Sequence, residues 1–251
     1  MTKKITIFVL ACIIAGTTYY SWDNWKYFLF PPIPCKQVII YSIGSFDQRF
    51  GIDQKRLRDA AEEAEKVWEN AVGKDLFSYD IEARGDSVKS LKINLIYDYR
   101  QETTKNLGSI ETSIAKYKEK YDKLKKEYDA LIAKSLLNDA NKKARELNEL
   151  ADKMNVKVDA FNEIGESAGD EFNEGEYILD EKGSRINIYQ FGNPAELRRL
   201  LEHEMGHALG LGHVDDPDAV MYRLNSSANE KLTMDDLQEL RSVCDRFMVS
   251  K

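Results

Sequence analysis

Two long stretches in the middle of the chain repeat apolar residues at alternating spacings of four and three. The first is Ile110, Ile114, Tyr117, Tyr121, Leu124, Tyr128 and Leu131; the second is Ala140, Ala144, Leu147, Ala151, Met154, Val158 and Phe161. Charged residues, chiefly lysine and glutamate, fill most positions between. A single narrow apolar stripe needs a partner stripe, so the pattern predicts two helices closed on each other as an antiparallel coiled-coil hairpin. The turn is expected across Ser135–Asp139, with Asn138 and Asp139 as the turn-forming pair. Small alanines on the second run let the tyrosines of the first pack closely.

On either side the pattern changes. Val38–Ile43 is rich in β-branched residues and predicts a strand. Leu57, Ala60, Ala61, Ala64, Val67, Trp68 and Ala71 recur at helical spacing after Asp53, a capping residue, and Gly73 ends that helix. Further strands are expected at 76–81, at 91–98, where alternation is clear, and at 177–180 and 185–191, the last two joined by a four-residue loop, Glu181–Ser184. Pro194 opens a helix at its first position behind Asn193, running to 211. A final helix starts after Thr233, with Asp236 three residues on in a capping-box spacing and a seam of Leu237, Leu240, Cys244 and Phe247. These elements predict an α+β fold with a five-stranded mixed sheet over 35–107 and 163–251, interrupted by the hairpin insertion 108–162.

The first 34 residues read differently. Two lysines precede the apolar run Ile5–Gly16; aromatic residues follow, and Phe30–Pro34 forms a stiff proline-rich linker. The run is shorter than the roughly 20 residues of a spanning helix unless it extends through Thr17–Tyr20. The segment is therefore expected to be a membrane anchor holding the rest of the chain outside the cytoplasm, with a cleaved signal and a secreted product as the alternative. Cys12 falls inside it. That leaves Cys35 and Cys244, which either pair as a disulfide or, for Cys244 on its apolar seam, remain a buried thiol. The formal charge of −7 changes one further point: it excludes a general nucleic-acid binder.

The chemistry lies in Glu202–His213, EHEMGHALGLGH, which holds all three histidines of the chain. On a helix His203 and His207 stand one turn apart and face the same way, the arrangement that binds Zn²⁺. Glu204 is placed as general base for a water activated by the metal. His213 lies too far round to join the other two on a continuing helix. Gly210 permits a sharp exit with positive φ that brings His213 back, leaving a fourth position open.

His203-Glu204-Met205-Gly206-His207-Ala208-Leu209-Gly210-Leu211-Gly212-His213, followed by Ala219-Val220-Met221-Tyr222, resembles the matrixin branch of the metzincins. The resemblance implies a metzincin-like sheet with an active-site helix, one catalytic Zn²⁺ and Met221 in the methionine turn beneath the metal. It also implies that Tyr177, Ile178 and Leu179 form the edge strand that pairs with substrate. Val214 and Tyr222-Arg223-Leu224 depart from the matrixin pattern around the specificity pocket. The hairpin occupies the place of the loop that binds structural metals in matrixins, and no histidine remains for a second zinc.

The expected function is a zinc endopeptidase acting on extended protein segments outside the membrane. The alternative is a catalytically idle zinc-fold scaffold whose coiled coil recruits protein partners.

Overall fold

Alternation in β3 (Leu91–Leu95) sets the core. Leu91, Ile93 and Leu95 are buried, and the residues between them face the other side. The remaining strands are β1 (Ile39–Phe46), β2 (Phe77–Tyr79), β4 (Gly175–Asp180) and β5 (Gly183–Ile188). They form one sheet in the order β2-β1-β3-β5-β4. β2, β1, β3 and β5 run parallel, and β4 lies antiparallel on the outer side of β5. The expected mixed five-stranded sheet is present. The computed structural model describes residues 35–81, 90–168, 173–224 and 231–246.

Helix α1 (Gln54–Val72) starts at Asp53, whose side chain accepts the Arg56 N–H, and stops at Gly73 with φ 68°. Its Leu57, Ala61, Ala64 and Trp68 are buried with Tyr41, Ile93, Ile186 and Ile188 of the sheet. Helix α4 (Pro194–Ala208) adds Leu197, Leu200, Leu201 and Met205 to the same core. The Trp68 indole N–H donates to the Glu202 carbonyl at 2.9 Å, joining α1 to α4 across that layer. The opposite face of the sheet is polar: Asn94 Nδ2 donates to Asn187 Oδ1 and Lys92 Nζ to Ser42 Oγ, each at 2.9 Å.

Helix α5 (Met234–Arg246) closes this unit, and its Cys244 is joined to Cys35 by a disulfide. Pairing and a buried thiol were both compatible with the sequence, and the pairing is what the fold contains.

The chain divides into two compact units, one running to Tyr97 and resuming at Glu174, the other Asp98–Asn173. The second unit consists of helices α2 (Tyr99–Ala133) and α3 (Leu137–Ala168). They reach beyond the expected 108–162 limits because Asp98 caps α2 early, its side chain accepting the Arg100 N–H at 2.9 Å. The same capping ends β3 at Leu95 rather than at 98. Ala140 and Leu147 of α3 are buried, and Lys143 pairs with Glu127 of α2 at 3.0 Å.

The turn of this hairpin is shorter and earlier than the sequence predicted. It centres on Ser135, which adopts φ 57°, and Asn138 and Asp139 belong to the first turn of α3. An acidic residue there faces the positive end of the helix dipole.

Other boundaries moved too: β1 runs on to Phe46 instead of 43, β2 is only Phe77–Tyr79 within the expected 76–81, and β5 stops at Ile188 instead of 191. β4 and β5 pair Asp180 with Gly183, so their turn is only Glu181-Lys182. Asp180 closes it by accepting the Lys182 N–H and forming two 2.8 Å bonds with Arg185. Helix α4 ends at Ala208, three residues before the expected 211. Residues 1–34 and Phe247 lie outside the described residues. Among those described, no helix is long and apolar enough to cross a membrane.

Candidate metal centre

His203 and His207 sit on the last two turns of α4, and Gly210 takes φ 89° immediately after the helix ends. That left-handed residue turns the chain out of the helix, and His213 comes back to the other two. Their Nε2 atoms lie 3.1, 3.2 and 3.3 Å apart. An ion bound tetrahedrally at 2.0–2.1 Å would hold its nitrogens about 3.3–3.4 Å apart, so the trio fits zinc.

Proton bookkeeping supports the fit. His203 Nδ1–H donates to the Val220 carbonyl at 2.7 Å and His207 Nδ1–H to the Leu211 carbonyl at 2.9 Å. A carbonyl can only accept, so both neutral rings carry their proton on Nδ1. Both Nε2 atoms then present lone pairs to each other, an arrangement that a cation between them stabilises. Burial pushes His203 down to about 4, with the Val220 bond opposing and the other two histidines adding to the fall. Burial also lowers His207. Each ring therefore stays in the neutral form that a metal requires. Among the described residues these three histidines are the one group placed to hold a metal ion.

Glu204 is buried, and its Oε2 has no hydrogen-bond partner. Burial raises its carboxyl to about 7; a backbone hydrogen bond from Tyr177 partly offsets this, and Glu176 adds to the rise. A carboxyl near neutrality can both take and return a proton.

Met221 is fully buried under this helix, within the apolar core. Its approach depends on Gly206: a Cβ there would stand 2.3 Å from the Met221 sulfur. The methionine turn is itself held from α5. Asp236 accepts the N–H of Val220 at 3.0 Å, of Met221 at 2.8 Å and of Thr233 at 2.8 Å. Because Val220 also accepts from His203, the Asp236 carboxylate fixes the His203 ring through one peptide unit. The capping-box spacing located Asp236 in the sequence, but not its grip on the turn.

Tyr177, Ile178 and Leu179 lie in β4, the last strand of the sheet, with β5 as its one paired neighbour among the described residues. Val214, a departure from the resembled pattern, donates to the Met221 carbonyl at 3.0 Å and so ties the histidine loop to the methionine turn. Asp216 accepts the N–H of Asp218 and its carbonyl that of Ala219, so this acidic stretch organises its own loop.

A mixed sheet, a helix carrying H-E-x-x-H, a glycine exit to a third histidine and a methionine below together fit a metzincin-like fold. The matrixin family profile matches residues 117–244, half of the chain, and the chain belongs to that family. Matrilysin of Felis catus is 36% identical over 75 residues, which are 29% of this chain and 25% of that protein. The aligned part thus spans a quarter of the curated relative. The family is one of metalloproteases and implies zinc.

Proposed function

We propose that the protein is a zinc-dependent endopeptidase that hydrolyses peptide bonds in extended protein segments. The observation that carries this reading is the joint presence of three converging Nε2 atoms and a buried, unpartnered carboxyl oxygen on the neighbouring Glu204. His203, His207 and His213 would hold the ion. Zinc, when bound, supplies a Lewis acid that polarises the scissile carbonyl and lowers the pKa of water at the site. Glu204 takes the proton of the attacking water on its free oxygen. It then delivers that proton to the amide nitrogen as the C–N bond breaks, leaving a carboxylate and an amine. The edge of β4 at Tyr177–Leu179 receives the substrate as an added antiparallel strand, main-chain bonds supplying affinity whatever the side chains.

The experiment uses the full chain with an unfolded protein as substrate, with and without a chelator. Cleavage that the chelator stops, and that Glu204→Ala abolishes while zinc stays bound, is the expected result. Wild-type protein that binds zinc but cleaves no unfolded protein would overturn the reading in favour of a scaffold.

We further infer that the catalytic unit works outside the cytoplasm, tethered or directed by residues 1–34, and the Cys35–Cys244 disulfide supports an oxidising location. The α2–α3 hairpin serves in this reading as a coiled coil that engages protein partners. Protease accessibility of intact cells tests the location. Replacing Ser109–Asn162 by a short glycine bridge tests the hairpin: undiminished cleavage of every folded substrate would remove it from recognition.

A further inference from the structure

Two of the three histidine rings are fixed by their own hydrogen bonds, His203 through Val220 and His207 through Leu211. His213 is different. It is exposed, it stands outside the helix, and among the described residues no hydrogen bond reaches its Nδ1. Its place must therefore come from the backbone on either side.

On the far side Val214 N–H donates to the Met221 carbonyl at 3.0 Å. On the near side, Gly210 and Leu211 bond back to His207 and Gly206 of the helix they have just left. The remaining tie is Gly212 N–H, which donates to Glu239 Oε1 at 3.2 Å across 27 positions of sequence. Apart from His207, whose ring bonds the Leu211 carbonyl, Glu239 is thus the one side chain among the described residues that hydrogen-bonds the short run between the helix exit and His213.

Its base is firm. Glu239 lies on α5 between Asp236, buried and bonded to the methionine turn, and Cys244, bonded to Cys35. Ser242 Oγ donates to the Glu239 carbonyl at 2.9 Å and approaches its Oε2 at 3.4 Å. A helix pinned at two points presents the carboxylate to a loop that contains two glycines and has little stiffness of its own.

We propose that Glu239 is a positioning residue for the third metal ligand: by holding the Gly212 N–H it sets where His213 Nε2 stands relative to His203 and His207. The inference rests on the zinc reading above. A loop that samples other positions binds metal only in the fraction of time His213 faces inward, and the apparent affinity falls by that fraction. Residues that orient ligands from outside the coordination shell change metal affinity by about 10–100-fold. With the site half in water, the lower end applies.

The test compares full-length wild type, Glu239→Ala and Glu239→Gln. Zinc affinity is measured by competition with a chromogenic chelator, and the Tm of each metal-free protein is taken in parallel. Glu239→Ala is expected to bind zinc about tenfold more weakly. Glu239→Gln keeps an amide oxygen that can accept from Gly212 and should bind like wild type. A general loss of structure would instead lower the metal-free Tm of both variants together. Zinc affinity of Glu239→Ala equal to wild type overturns the proposal, as does a Gln variant as weak as the Ala variant. Wild-type protein that binds no zinc would sink the endopeptidase reading itself, a separate outcome visible before any variant is made.

Discussion

Gly206 lies against Met221, so closely that a Cβ on Gly206 would stand 2.3 Å from the methionine sulfur and 2.9 Å from Trp68 Cζ2. Helix α4, the turn that carries Met221 and α1 meet at a point where only a hydrogen atom fits. Gly206→Ala must push Met221 or Trp68 away, and overpacking of this kind costs about 1–3 kcal/mol. Urea unfolding should show that loss despite alanine's better helix propensity, and Met221→Ala combined with it should recover part of the penalty. A Gly206→Ala variant as stable as wild type would contradict the contact.

Asp236→Asn leaves one carboxylate oxygen fewer for three backbone donors at Val220, Met221 and Thr233. At least one buried N–H then loses its acceptor, a cost of about 1–3 kcal/mol. Because Val220 supports His203, the variant should also bind zinc more weakly. Calorimetry and chelator competition read the two effects separately.

Reduction should destabilise the protein without unfolding its secondary structure outright. Cys35 and Cys244 are 209 positions apart, and opening so long a loop removes about 2–5 kcal/mol. A reductant is expected to lower the Tm of wild type and to leave a Cys35→Ser/Cys244→Ser protein unaffected, at an already reduced Tm.

Glu65 of α1 carries a pH signature away from the metal. Burial raises its carboxyl from 4.5 to about 7, with the Tyr41 hydroxyl opposing the rise and Glu69 and Glu62 adding to it. Between those two values the unfolded chain has released this proton while the folded chain retains it, so stability falls as pH rises through that window. Glu65→Gln removes the penalty. Its Tm should exceed wild type at pH 8 by a few degrees and converge with wild type near pH 5; an equal gap at both pH values would refute the assignment.

Metal removal should be visible without any assay of cleavage. A ligand at 1,000 times its Kd stabilises the folded state by about 4 kcal/mol, so chelation should lower Tm and added zinc restore it. His213→Ala should abolish most of that response while leaving the metal-free Tm nearly unchanged, since the ring is exposed and packs into no core.

Much of this protein is legible in its sequence because the relevant physics is local. Asp53 and Gly73 bracket α1 through capping and a left-handed stop, both of which act within one helical turn. The alternation of Leu91–Leu95 names its buried face directly. Residue types alone also place His203 and His207 on one helix face and single out Gly210 as the bend.

What escaped is non-local. Asn138 and Asp139 look like turn residues, yet they start α3, because Ser135 takes the left-handed position and Asp139 suits a helix N-terminus. No sequence pattern announces that Val220 and Leu211 will offer carbonyls to the histidines, since every residue carries a carbonyl and only the fold aims it.

Sequence by itself determined the makeup of the candidate metal centre: the histidines, their helical spacing, the glycine exit and the carboxyl beside them are properties of a dozen consecutive residues. Tertiary structure alone decided how firmly that chemistry is held. Cys35 and Cys244, Asp236 and the methionine turn, Glu239 and Gly212 are each distant along the chain, and they meet only because burying the apolar faces of sheet and helices brings α5 across the end of the site.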